Sequence, residues 1–190
     1  MRNLQAKMFN KKASDLKNKP DQIIEALELQ QGQYVADIGA GGGYFSLRFA
    51  EVVGKEGEVY AVDANQGFLE FIENDIKLRR LDNVQTILVS NGVPALPNKI
   101  DLIFMRNICH HLSNRVEYFR KLRHLLKQEG RVAIIEYKCA KPFTFRGIFG
   151  HCIPPETIIE EMKEAEYRVH KAIDFLPEQS FTIFLPALFG

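Results

Sequence analysis

The stretch Tyr34-Val-Ala-Asp-Ile-Gly-Ala-Gly-Gly-Gly-Tyr-Phe-Ser46 joins a short apolar run to four closely spaced glycines. The apolar run ends in an acid, Asp37, and the glycines are followed by the amphipathic segment 47–53. This order predicts a buried strand, a glycine turn and a helix, the arrangement with which open α/β sheets bind nucleotide-like ligands. Glycine suits such a turn because it adopts positive φ and lets a ligand lie against the backbone.

The glycine turn lacks the features that bind phosphates. The dinucleotide pattern G-x-G-x-x-G/A needs a small residue three positions after Gly41, where this chain has the bulky Tyr44. The pattern G-x-x-x-x-G-K-[ST] is missing, and residues 34–46 contain no Lys or Arg. Asp37 would repel a phosphate but can hold an ammonium group. We therefore expect an adenosine-type ligand of little negative charge, and a nicotinamide-dependent enzyme is disfavoured.

A second apolar run, 58–63, also ends in an acid. Asp63 follows Asp37 by 26 positions, close to where an α/β unit places an acid that accepts hydrogen bonds from a ribose. The alternative is that Asp63 caps a helix beginning near Gln66.

Asp37-Ile-Gly-Ala-Gly-Gly-Gly and Val62-Asp-Ala-Asn65 resemble the first and second motifs of the class I S-adenosylmethionine-dependent methyltransferases. The resemblance runs from about Ile23 to Phe184. It implies an α/β fold: a single-domain, doubly wound, Rossmann-like sheet of seven mostly parallel strands, ordered 3-2-1-4-5-7-6, with the last strand antiparallel. It also implies an enzyme that transfers a methyl group from S-adenosylmethionine, leaving S-adenosylhomocysteine, to a small-molecule acceptor. A catalytically silent S-adenosylmethionine-binding subunit is the alternative.

The resemblance assigns cofactor-binding positions at the ends of the first four strands. An acid usually accepts from the adenine amino group after the third strand, and Asn91 takes its place here, with a simple Asn-Gly turn as the alternative. The predicted cofactor-binding residues are Asp37, Gly39, Ala40, Gly41, Gly43, Asp63, Ala64, Asn91, Gly92, Arg106 and Asn107. No metal ligand set is predicted.

The segment Met105-Arg-Asn-Ile-Cys-His-His-Leu112 resembles the family segment that lies under the adenosine and faces the substrate. His110 and His111 are therefore the candidate catalytic residues, because an imidazole can accept a proton near neutral pH. Alternatively, one of them caps a helix and the other packs in the core. Glu136 and Tyr137, at the end of the fifth strand, are expected near the pocket mouth.

Apolar strands alternate with amphipathic helices between residues 20 and 137, which predicts a parallel sheet covered on both faces. Residues 1–19 are basic and polar and are expected to be mobile until a ligand binds, and residues 20–190 form the methyltransferase domain. One predicted helix spans Asn114–Lys127, with Gly130 near its C-cap. The segment 138–153 contains three phenylalanines. They are expected to form either an apolar lid over the site or a small additional core.

Composition limits the partners. The net charge is +1, so no overall field attracts nucleic acid or an anionic membrane, and neither partner is predicted. The basic residues around 115–127 are predicted to form the solvent-exposed face of a helix and not a nucleic-acid surface. Three cysteines without a CxxC pair predict reduced thiols and a cytoplasmic protein.

Overall fold

The computed structural model describes residues 2–90, 92–139 and 152–187. Its centre is a seven-stranded sheet with the order β3-β2-β1-β4-β5-β7-β6. Strands β1 to β5 pair in parallel, whereas β7 is antiparallel to both β5 and β6. The predicted fold class is therefore confirmed. The strands are β1 (Tyr34–Ile38), β2 (Glu58–Asp63), β3 (Val84–Leu88), β4 (Ile100–Arg106), β5 (Leu126–Tyr137), β6 (Tyr167–Ile173) and β7 (Gln179–Pro186).

Helices cover both faces of the sheet. Each face has its own apolar core, one containing Phe49 and Phe104 and the other containing Phe119 and Met162. Because both faces are buried, the central strands are continuously apolar rather than alternating. The helices are α1 (Arg2–Ser14), α2 (Pro20–Ala26), α3 (Tyr44–Val53), α4 (Gln66–Arg79), α5 (Arg115–Leu122) and α6 (Pro155–Glu164).

The predicted helix over Asn114–Lys127 is wrong in its second half. Helix α5 ends at Leu122, a 3₁₀ turn spans Arg123–Leu125, and β5 begins at Leu126. Gly130 therefore lies inside β5 and is not a C-cap. A Cβ atom at Gly130 would lie 2.6 Å from the carbonyl oxygen of Ile100, so the glycine permits the close approach of β5 to β4.

Residues 1–19 contain more structure than the sequence pattern suggested. Arg2–Ser14 form helix α1, which packs against α3 and α4. This helix has no apolar stripe of the usual kind, and Leu4 and Met8 are exposed. The mobility of the segment before a ligand binds stays a prediction.

The prediction of reduced thiols is wrong for two of the three cysteines. Cys139 and Cys152 form a disulfide with a Cα–Cα distance of 5.1 Å, whereas Cys109 is free and buried. The two cysteines are 13 positions apart, and this spacing does not predict a disulfide. They meet because the fold brings the end of β5 close to the start of α6. The three phenylalanines of 138–153 lie outside the described residues.

Candidate functional site

A cavity of about 710 Å³ opens at the carboxyl ends of β1, β2 and β4. Ligand sites in open α/β sheets occur at this edge, and the volume suits a ligand of nucleoside size or larger. The residues around it are Phe9, Asn10, Lys12, Ala13, Asp37, Gly39, Ala40, Gly41, Gly42, Tyr44, Phe45, Asp63, Phe68, Phe104, Arg106, Asn107, Ile108, His110, His111 and Tyr137.

The glycine loop after β1 forms one wall of this cavity. Gly39 and Gly41 have φ values of 80° and 57°, which side-chain-bearing residues rarely adopt. The amides of Gly39 and Ala40 both donate to the carbonyl oxygen of Val62, at 2.8 and 3.0 Å. The loop is thus tied to the end of β2, and Gly39, Ala40 and Gly41 line the cavity.

Asp63 lies at the end of β2 and lines the same cavity. One carboxylate oxygen accepts from the Gly41 amide at 2.9 Å, and the other accepts from the Asn65 amide at 2.9 Å. A carboxylate has about four lone-pair sites, so Asp63 retains acceptor capacity for a hydroxyl donor of a ligand. The helix cap of α4 is Asn65, whose side chain accepts from Gly67, and the capping alternative for Asp63 is wrong.

Asp37 is the penultimate residue of β1, before Ile38, and is 4% exposed. Its Oδ2 atom accepts a hydrogen bond of 2.5 Å from the hydroxyl of Ser46. Burial raises the pKa of Asp37 to about 7, against a smaller lowering by the Ser46 hydrogen bond. A cationic group in the cavity would favour the ionised carboxylate, since an opposite charge nearby offsets desolvation. The carboxyl group of Asp37 can therefore hold a cationic group in the cavity.

Arg106 and Asn107 bring polar groups to the end of β4. The buried amide of Gln179, from β7, donates to Asn107 Oδ1 at 2.6 Å and accepts from Arg106 Nη2 at 3.4 Å. The guanidinium carbon of Arg106 lies 5.1 Å from the centre of the Phe45 ring. Gln179 was missed because it begins a distant antiparallel strand, and periodicity does not show which strands are neighbours.

His110 and His111 both line the cavity, in a 3₁₀ turn after β4. Nδ1 of His110 lies 3.0 Å from Oε1 of Glu136, and the two side chains are 7% and 0% exposed. When the neutral ring donates from Nδ1 to this carboxylate, Nε2 is the nitrogen that can accept a proton. Glu136 was expected near the pocket mouth, but it is fully buried, is not among the described residues that line the cavity, and contacts His110 instead. Tyr137 lines the cavity directly.

Helix α1 closes the cavity from the outside, which the sequence did not indicate. Phe9 packs edge-on against Phe68, with ring centres 5.4 Å apart. The side chain of Asn10 donates to the Gly42 carbonyl at 2.8 Å and accepts from the Tyr44 amide at 3.2 Å. Asn10 therefore attaches α1 to the glycine loop, and α1 forms part of the site.

The structure does not bring every predicted cofactor-binding residue to the wall. Gly43, Ala64 and Gly92 are described but do not line the cavity. Gly43 has a structural reason to be glycine, since its φ is 79° and a Cβ would lie 2.6 Å from Ile72. Asn91 lies outside the described residues. The other seven residues predicted to bind the cofactor line the cavity together.

The fold is an open α/β sheet with a cavity at the edge where such sheets bind ligands, and sequence comparison gives the family. A family model described as a methyltransferase domain matches residues 29–174, and the chain belongs to this family. The resemblance to class I S-adenosylmethionine-dependent methyltransferases is therefore confirmed.

Two curated relatives illustrate the range of the family. The chain is 26% identical over 160 residues to (S)-coclaurine N-methyltransferase from Thalictrum flavum, covering 84% of this chain and 42% of that protein. It is 24% identical over 132 residues to demethylmenaquinone methyltransferase from Geobacillus kaustophilus, covering 68% of this chain and 56% of that protein. The chain thus spans about half the length of these relatives.

Solved structures share the fold. A SAM-dependent methyltransferase from Aquifex aeolicus superposes with a TM-score of 0.81 at 22% identity, covering 93% of this chain and 96% of that one. A putative O-methyltransferase from Nostoc punctiforme superposes with a TM-score of 0.71 at 20% identity, covering 93% of this chain and 59% of that one. At these identities the likeness concerns the fold.

Proposed function

We propose that this chain transfers a methyl group from S-adenosylmethionine to a small-molecule acceptor. The observation that carries the proposal is the cavity at the carboxyl ends of β1, β2 and β4, where a glycine loop lies between two acids. Asp37 and Asp63 differ in their surroundings, since one is buried beside a hydroxyl and the other accepts from backbone amides. They suit the two polar parts of the cofactor, the amino group and the ribose.

The residues of the cavity fit this cofactor. The remaining lone pairs of Asp63 can accept from the ribose hydroxyls, and the backbone of Gly39, Ala40 and Gly41 can lie against the methionine part. Asp37 receives the amino group, directly or through water. Arg106 and Asn107 complete the site from β4. The contact between Asn91 and the adenine stays a prediction from the family pattern.

The bound cofactor supplies an electrophilic methyl group on a sulfonium. The chain contributes alignment and exclusion of water, because in-line displacement needs the acceptor atom close to that methyl carbon. Aromatic rings supply much of the wall, from Phe9, Phe45, Phe68, Phe104 and Tyr137 among others. His110, oriented by Glu136, accepts a proton from acceptors that must lose one, and His111 lies beside it with ring centres 4.1 Å apart.

Two observations support a small acceptor. The curated relatives described above have names that refer to small molecules, coclaurine and demethylmenaquinone. In addition, the basic residues around α5 are engaged with acids of the chain itself. Arg115 binds Glu161 through two hydrogen bonds of 2.7 and 2.6 Å, and Lys127 lies 2.7 Å from Asp101. Such pairing speaks against that face as a nucleic-acid surface.

The disulfide bears on where the protein is located in the cell. A cytoplasmic protein was expected partly from the cysteines, and that argument does not hold for the bonded pair Cys139–Cys152. In the part of the chain that the structure describes, no helix has the length and apolar character that crossing a bilayer requires.

The experiment is a methyl-transfer screen with radiolabelled S-adenosylmethionine over fractionated metabolite pools, with the Asp63→Ala variant as a matched control. We expect label to appear in a low-molecular-weight product with the unmodified protein and to fall strongly with the variant. Cofactor binding without transfer to any fraction would favour the catalytically silent subunit. Failure to bind the cofactor at all would remove both functions.

A further inference from the structure

Arg106 carries a positive charge that the fold leaves incompletely satisfied. It is the last residue of β4, and its side chain lines the cavity. Its Nε atom is buried and has no hydrogen-bond partner among the described residues. Nη2 makes the long contact of 3.4 Å with Gln179, and the guanidinium lies over the Phe45 ring. Burial lowers the pKa of Arg106, although a guanidinium stays charged in proteins.

A buried cation of this kind favours an anionic partner. Leaving a buried charged donor without a hydrogen bond is costly, and a cation–π contact offsets part of that cost. Gln179 is 3% exposed and donates to Asn107 Oδ1 at 2.6 Å. The side chain that contacts Arg106 is therefore itself fixed by a second hydrogen bond. The donor face of Arg106 is therefore held beside the cavity before any ligand arrives.

Asp37 provides the opposite charge in the same cavity. It is the penultimate residue of β1, which is the direct neighbour of β4, and it lies in register with Phe104. Each of the two charges favours the ionised form of the other, yet no ion pair within 4.0 Å joins them in the described ranges. The cavity thus presents a carboxylate and a guanidinium that do not neutralise each other by contact. An α-amino-acid group has the complementary arrangement, with an ammonium and a carboxylate on one carbon.

We propose that Arg106 binds the carboxylate of the methionine part of the cofactor while Asp37 receives the ammonium of the same group. This inference rests on the proposed function and adds how the amino-acid end is recognised. A guanidinium forms two parallel hydrogen bonds with a carboxylate, which are among the strongest in proteins. Those bonds would engage the buried Nε atom, which lacks a partner in the structure.

The chain offers a matched control in Lys12. Its side chain also lines the cavity, but it comes from α1, and its Nζ atom lies 5.1 Å from the centre of the Tyr137 ring. Among the described residues of the lining, the Lys and Arg side chains are those of Lys12 and Arg106. Substitution of each by methionine removes one charge and retains an unbranched side chain.

The test is calorimetric titration with two ligands, S-adenosylhomocysteine and its decarboxylated analogue, which retains the amine. The unmodified protein is expected to bind S-adenosylhomocysteine at least about tenfold more tightly than the analogue. Arg106→Met should remove that preference because it weakens the binding of S-adenosylhomocysteine. The affinity for the analogue should change by less than about twofold. Lys12→Met should retain the preference, and Arg106→Lys should show an intermediate one.

The outcomes separate this inference from the proposed function. Equal affinity of the unmodified protein for both ligands overturns the inference and leaves cofactor binding intact, and this comparison needs no variant to fold. Equal weakening of both ligands by Arg106→Met also overturns it, since that result indicates a structural role. Loss of the preference in Lys12→Met assigns the carboxylate to Lys12 instead. Absence of any binding by the unmodified protein contradicts the proposed function itself.

Discussion

Asp63 Oδ2 accepts a hydrogen bond of 2.9 Å from the backbone amide of Gly41. The acid that ends β2 therefore holds the glycine loop that follows β1, and the two halves of the candidate site support each other. The carboxylate of Asp63 fixes the loop and retains lone pairs that can accept hydrogen bonds from a ligand.

Asp63→Ala should weaken the binding of S-adenosylhomocysteine by roughly 1–3 kcal/mol, because hydrogen bonds to a charged acceptor are lost. Asp63→Asn is the matched control, since its side-chain oxygen can still accept from Gly41. We expect the asparagine variant to lie between the alanine variant and the unmodified protein in a calorimetric titration. An unchanged affinity in the alanine variant would refute the ribose role of Asp63.

Asp37 should make stability depend on pH in an identifiable window. Its pKa is raised from 3.8 to about 7 by burial, so the folded state binds a proton more tightly than the unfolded state does. Stability from this group is present below about pH 4 and is lost as the pH rises towards 7, by at most about 4 kcal/mol.

Asp37→Asn should remove this dependence. Urea denaturation at pH 5 and pH 8 is the measurement, and the variant should gain stability relative to the unmodified protein at the higher pH. The same difference at both pH values would contradict the raised pKa of Asp37.

Gly42 should tolerate no side chain while α1 is in place. A Cβ atom there would lie 2.2 Å from Asn10 Oδ1 and 2.4 Å from the carbonyl oxygen of Ala6. Gly42→Ala should therefore displace α1 and cost roughly 1–3 kcal/mol of unfolding free energy. Ser14→Ala, on the exposed end of α1, should cost less than about 0.5 kcal/mol. Circular dichroism during urea denaturation measures both, and equal stabilities would disprove the docking of α1 on the loop.

The disulfide between Cys139 and Cys152 should be detectable by thiol counting. The chain has three cysteines, so the unfolded, unreduced protein should present the single thiol of Cys109 and three thiols after reduction. Reduction should lower the unfolding free energy by about 3 kcal/mol, because the bond closes a short loop in the unfolded chain. Three thiols before reduction would show that the bond does not form.

The core of the fold was predictable because it depends on local signals. Apolar runs ending in acids, glycine spacing and alternation with helices are visible along the chain, and they placed β1, β2 and the loop correctly. The end of α5 was not predictable in this way. The residues after Leu122 continue a helical pattern, and the tertiary approach of Gly130 to Ile100 decides in favour of a strand.

Site residues that lie within one continuous sequence motif could be predicted. Those brought together from distant parts of the chain could not. Asp37, Asp63 and the glycines follow one another within a single α/β unit. The contacts between Arg106 and Gln179 and between His110 and Glu136 join residues 73 and 26 positions apart. Helix α1 contacts the glycine loop through the side chain of Asn10. A single polar residue outside any motif does not predict such a contact.

The central claim is that the cavity between Asp37 and Asp63 binds S-adenosylmethionine, and calorimetric titration with the stable product S-adenosylhomocysteine tests it most directly. The account predicts saturable binding at one site per chain, weakened by Asp63→Ala. No heat of binding at millimolar ligand with the folded, unmodified protein would contradict it.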